Sequence, residues 1–144
     1  MIDKSKEVNA SITLVNEKLH FIGFVEGNEA VSIDYYPPLG DNLGYTSLEL
    51  LLLSLSSCVG SAVLTFLRRM NITIKSFEAS AKGIRREEHP TGFKNITVEL
   101  SVQSPNLTKE DMKKVIALAE DKYCPVYSMI KGNTETRIIY KISK

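Results

Sequence analysis

From Leu50 to Leu67 the chain carries no charged residue, and this run constrains the fold more than any other stretch. About twenty apolar residues suffice for a helix to cross a bilayer, so the run belongs either to a membrane or to a protein core. Ser54, Ser56, Ser57, Gly60, Ser61 and Thr65 interrupt it, Glu49 and Arg68-Arg69 bracket it, and segments of strand character stand on both sides. Those features predict a long buried helix in a globular fold and no membrane span. Ser54, Ser57, Cys58, Ser61 and Thr65 recur at three- and four-residue spacing, a stripe of small side chains that another backbone can approach closely. Leu52, Val59, Val63 and Phe66 lie on a different side. A helix with two buried faces is more than 144 residues of short strands and one further amphipathic helix can cover, which predicts a second, twofold-related subunit.

The flanking segments fix the fold class. Before the run, apolar residues alternate at Val8, Ala10, Ile12 and Leu14, at Leu19, Phe21, Gly23 and Val25, and around Val31, Ile33 and Tyr35. Period two over short spans predicts three antiparallel strands turning at Asn16-Glu17 and Gly27-Asn28. YYPPLGDNLGY then reads as an ordered loop, delivering the chain to an N-cap at Thr46 or Ser47 with Glu49 in the first turn. After a stop at Asn71, ITIKSFEASAKGIRREE and KNITVELSVQS predict a hairpin across HPTGF. Thr108, followed by Glu110 and Asp111, caps an amphipathic helix bearing Met112, Val115, Ile116 and Leu118; Pro125 opens a short helix that ends at Gly132-Asn133; TETRIIYKIS closes as a strand. The order predicts an α+β fold with antiparallel sheets around the long helix, in a single domain over residues 1–144.

Several function classes fall away on composition. A net charge of +1, with acidic and basic residues interleaved, offers no concentrated basic surface for nucleic acid. The N-terminal MIDKSKEVNAS has neither an apolar leader core nor a cleavage site, so the expected compartment is the cytosol. Cys58 and Cys124 are the only cysteines, His20 and His89 stand alone, and no spacing suits a metal site; no cofactor is expected. Taken alone, Cys58 reads first as a small core hydrophobe. Cys124 differs, because before Pro125 at a helix start its sulfur meets unpaired backbone N–H groups, which favour the thiolate and predict a lowered pKa.

The helix SLELLLLSLSSCVGSAV, the segment KGIRREEHPTGFKNITVEL and the late EDKYCPVYSMI, in this order, resemble the superfamily of osmotically inducible protein C and organic hydroperoxide resistance proteins, OsmC and Ohr. RREE before the hairpin turn is most similar to the YhfA-like OsmC branch. The resemblance implies an OsmC-like fold in an intertwined homodimer, with active sites at the subunit interface. It further implies a thiol-dependent peroxidase: Cys58 attacks an organic hydroperoxide, Cys124 resolves the sulfenic acid to a disulfide, and an external dithiol, such as a lipoyl group, restores both thiols.

In the family's hydroperoxide reductases an arginine from the N-terminal strands stabilises the thiolate and a helix glutamate orients it. The first 45 residues here hold no arginine, and the glutamate position, ten before the cysteine, is Leu48, with Glu49 one place on. Glu49, roughly 100° around the helix from that position, is either the candidate for that role or a first-turn partner of the helix dipole and nothing more. Arg85 and Arg86, or Lys18 and His20, are the candidate cations, while Tyr35, Tyr36 and Tyr123 are candidate pocket aromatics. The alternative function is a non-catalytic, redox-responsive dimer holding a small apolar ligand at the interface.

Overall fold

Three short strands form the first sheet: β1 (Ser11–Leu14), β2 (Phe21–Phe24) and β3 (Val31–Ile33), antiparallel in the order β1-β2-β3. The computed structural model describes residues 3–144. They divide into two compact units, one running to Leu50 and one from Leu51 to Lys144.

In the first unit a buried carboxylate organises the loop after β3. Asp34 is 1% exposed and accepts backbone N–H bonds from Tyr35 at 2.7 Å and from Asp41 and Leu43 at 3.1 Å. Burial acts to raise this carboxyl, but the amides of Leu43, Asp41 and Tyr35, with His20 nearby, outweigh it and hold the group below its ordinary value. The prolines and glycines of YYPPLGDNLGY thus form an ordered loop around one acid, as the pattern predicts.

The long helix α1 spans Ser47–Arg69, and its first turn belongs to the first unit. Thr46 is its N-cap: the Thr46 N–H donates to Glu49 Oε1 at 2.8 Å and the Glu49 N–H donates to Thr46 Oγ1 at 3.2 Å. At the other end Asn71 takes the left-handed conformation, φ 60°, and the Ile72 N–H reaches back to the Leu67 carbonyl at 3.0 Å. By length and composition α1 is apolar enough to cross a membrane. Leu55, Val59, Val63 and Leu67 are nevertheless completely buried, making it the core helix of the second unit.

The second sheet comprises β4 (Ser76–Arg85), β5 (Phe93–Gln103) and β6 (Glu135–Ser143). Ile96, Val98, Leu100 and Val102 project from one face of β5 into the core with Met112 and Val115 of α2 (Lys109–Leu118). At Gly60 the helix comes so near the sheet that an added Cβ would meet Phe77 Cε1 at 3.1 Å, which accounts for glycine there. The predicted capping signal on α2 is a reciprocal pair between Thr108 and Asp111. One expectation needs correction: β5 and β6 run parallel, so this sheet is mixed. Between them the chain makes α2, a π-helical turn (Ala119–Tyr123) and α3 (Pro125–Ile130), a crossover long enough to return it to the same end of the sheet. A hydrophobic pattern reports which face of a strand is buried and carries little information on its direction.

Candidate active site

Cys58 sits at mid-length on α1, half-buried and packed against the core. Its side chain lines an open cavity of about 430 Å³. Ser57, Ser61, Ala62 and Thr65 continue the lining along the helix, and Phe66, Arg69 and Tyr123 complete its far part. Two of its hydroxyls are internally satisfied: Ser57 donates to the Ser54 carbonyl at 3.0 Å and Thr65 to the Ser61 carbonyl at 2.7 Å. Aromatic surface follows, the rings of Phe66 and Tyr123 lying 4.7 Å apart.

Cys124 comes from the crossover between β5 and β6. The π-helical turn, closed by the Cys124 N–H donating to the Ala119 carbonyl at 3.1 Å, carries the chain out of α2. Such turns are rare and frequent at functional sites. Cys124 then caps α3, its Sγ accepting the Tyr127 N–H at 3.3 Å. That bond is the one the cysteine-proline sequence predicts, but the predicted pKa is reversed. Cys124 is 2% exposed, and burial first, then the adjoining Cys58 side chain, push its thiol up to about 12 despite the Tyr127 amide. Desolvation of a thiolate outweighs one or two backbone dipoles. Both cysteines are free thiols and close enough for Cys58 to bear on the ionisation of Cys124. The structure therefore brings the two together, one accessible and one buried.

Tyr123 lines the Cys58 cavity as predicted, and several other predicted residues are engaged within their own elements. Glu49 precedes Cys58 by nine residues, which places it half a turn around α1 and roughly 13 Å along its axis. Its carboxyl is occupied by Thr46, whose backbone and hydroxyl hold it below its ordinary value. Arg85 folds over its own hairpin, donating from Nε to the Thr91 carbonyl at 2.7 Å and from Nη2 to the Thr91 hydroxyl. Within the first unit Lys18 pairs with Asp41 at 2.6 Å and His20 bonds Ser32 at 2.7 Å, while Tyr35 and Tyr36 pack on each other. Among the described residues no three His, Cys, Asp or Glu side chains converge as a metal site would require. The cation that does line the Cys58 cavity is Arg69, which sequence reasoning treats only as a flank of the apolar run. Its signal is present: eleven residues after Cys58 is just over three full helical turns, hence the same face.

Comparison with known proteins places the fold. A hypothetical protein from Aquifex aeolicus shares the fold with a TM-score of 0.84 at 24% identity, over 96% of this chain and 97% of that one. An OsmC-like protein from Mycoplasma pneumoniae matches with a TM-score of 0.83 at 19% identity, over 97% and 99% of the two chains. The organic hydroperoxide resistance protein OhrB of Bacillus subtilis matches with a TM-score of 0.66 at 20% identity, over 94% and 98%. No curated protein matches in sequence. The OsmC-like protein family itself matches residues 40–139, from the loop before α1 into β6, and the chain belongs to that family.

Proposed function

We propose that the protein is a cytosolic, homodimeric thiol peroxidase that reduces organic hydroperoxides through Cys58 and Cys124, with an external dithiol as reductant. The observation that carries this reading is the asymmetry of the pair: an accessible thiol on an open cavity, backed by a buried, protonated one. In the first step the Cys58 thiolate attacks the terminal peroxide oxygen. An S–O bond forms as the O–O bond breaks, the departing alkoxide takes a proton to become the alcohol, and Cys58 is left as a sulfenic acid. Cys124 then loses its proton and attacks the Cys58 sulfur; the S–S bond forms and hydroxide leaves with a proton as water. Exchange with a dithiol such as a lipoyl group restores both thiols and leaves that dithiol oxidised.

The raised pKa of Cys124 supports this order. A protonated thiol does not compete for the peroxide. Negative charge on Cys58 is among the influences that raise Cys124, and that charge is gone once Cys58 carries oxygen. The resolving proton thus becomes easier to lose after the first step.

Dimerisation is supported by the exposed side of α1. Leu53, Ser54, Ser57, Ser61 and Thr65 form an uncharged surface that takes in part of the cavity lining and is suited to a second copy. Ser54→Arg is expected to shift the protein from dimer to monomer in analytical ultracentrifugation. Activity is tested by turnover of an alkyl hydroperoxide with dihydrolipoamide. The reading predicts stoichiometric alcohol formation, abolished by Cys58→Ser; an intact dimer that consumes no hydroperoxide would instead favour the ligand-holding alternative.

A further inference from the structure

Among the described residues lining the Cys58 cavity, Arg69 alone carries a formal charge. It lies on the same face of α1 as Cys58, with the two Cα atoms roughly 16 Å apart. Side chains on a helix lean toward its N-terminus, so the guanidinium reaches back over the cavity. Its central carbon stands 5.5 Å from the centroid of the Phe66 ring. No carboxylate among the described residues pairs with it; the two ion pairs found are Lys18 with Asp41 and Lys141 with Glu99. The cavity therefore runs from a thiol, past backbonded hydroxyls and an aromatic pair, to an unpaired fork of hydrogen-bond donors.

A general role at the helix C-terminus does not explain this placement. Arg68 and Arg69 both stand in the last turn of α1, where either favours the dipole. Only Arg69 lines the cavity. A guanidinium presents parallel N–H donors that match a carboxylate two to two. An apolar ligand body over Phe66 and Tyr123 with its reactive end at Cys58 brings its other end to those donors.

We propose that Arg69 is a specificity-determining residue, pairing with an anionic group at the end of the ligand away from Cys58. The protein then favours an organic hydroperoxide whose apolar body ends in a carboxylate over the same body without one. The substrate chemistry in this inference rests on the peroxidase reading; the anion selectivity of the cavity does not.

The test uses two matched probes: a straight-chain alkyl hydroperoxide and the same chain ending in a carboxylate at its far carbon. The wild type is expected to show a kcat/KM ratio of about five to ten in favour of the carboxylate, falling with added salt. Arg69→Gln brings that ratio toward one, Arg69→Lys keeps part of it, and Arg68→Gln, which makes the same change in helix-end charge, keeps all of it. A wild-type ratio near one, or equal losses in Arg68→Gln and Arg69→Gln, overturns the proposal. Binding of the corresponding alcohol and hydroxy acid, followed by calorimetry, separates the two claims. If neither hydroperoxide is turned over but the hydroxy acid binds better to wild type than to Arg69→Gln, the peroxidase reading fails and the anion site stands. Absence of selectivity in both turnover and binding removes the anion site.

Discussion

The two units of this chain are held together by different physics. All the fully buried large apolar side chains among the described residues belong to the second unit, where Leu55, Val63, Leu67, Ile96, Val98, Leu100 and Met112 meet in one cluster. In the first unit the side chain under 2% exposed is a carboxylate, Asp34, while Ile12, Leu14, Phe24, Leu39 and Leu43 stand open to about half or more. One unit is organised by area removed from water and the other by hydrogen bonds to a loop. A sheet that leaves so much apolar surface open has the composition of an interface. The proposed homodimer supplies a cover for it.

The sharpest probe of that contrast is truncation of side chains in each unit. Leu100→Ala should cost about 2–5 kcal/mol in denaturant unfolding, the range for emptying a closed core site. Leu39→Ala, at a site 60% exposed, should stay within about 0.5 kcal/mol. A core-sized cost for Phe24→Ala in the assembled protein would show that a second copy covers the first sheet.

Acid should separate the units next. The Asp34 carboxyl is held below its ordinary value, so its contribution is complete above that value and disappears as pH falls through the folded-state pKa. Amide hydrogen exchange, corrected for intrinsic rates, should show Asp41 and Leu43 losing protection as pH drops below about 4, before the amides of β5. Asp34→Asn should reproduce part of this loss at neutral pH. Unchanged protection of the loop would mean that Asp34 is not its organiser.

A smaller effect is expected at the junction of the units, where Thr46→Ala removes the N-cap of α1 and should cost about 1 kcal/mol. The least should come from Lys18→Ala, because its pair with Asp41 is largely solvated, and such pairs contribute about 0–1 kcal/mol. Double-mutant cycles would measure both. A Lys18 effect exceeding that of Leu100 would invert the comparison.

What the residues disclose follows the range of the forces involved. Thr46 with Glu49, Thr108 with Asp111, Asn71 and Pro125 act within a few residues of themselves, so helix ends are legible locally. The alternation in β5 identifies its buried face in the same way. The parallel pairing of β6 depends on where a crossover of more than twenty residues lands, and no local pattern encodes it. The site divides along the same line. Family motifs point to Cys58 and Cys124, but the raised pKa of Cys124 is set by how deeply the rest of the core buries it. Arg69 is legible as a repeat on the face of Cys58 but is masked, because charge at the end of an apolar run reads first as a boundary.

The central claim is that Cys58 and Cys124 are two halves of one redox device. Intact-mass spectrometry of the reduced protein after a stoichiometric pulse of alkyl hydroperoxide tests it most directly, with Cys58→Ser and Cys124→Ser in parallel. The account predicts rapid loss of two hydrogens in the wild type, a trapped sulfenic acid on Cys58 in Cys124→Ser, and no change in Cys58→Ser. Thiols that persist unchanged in the folded wild-type protein, or oxidation that begins at Cys124, would contradict it.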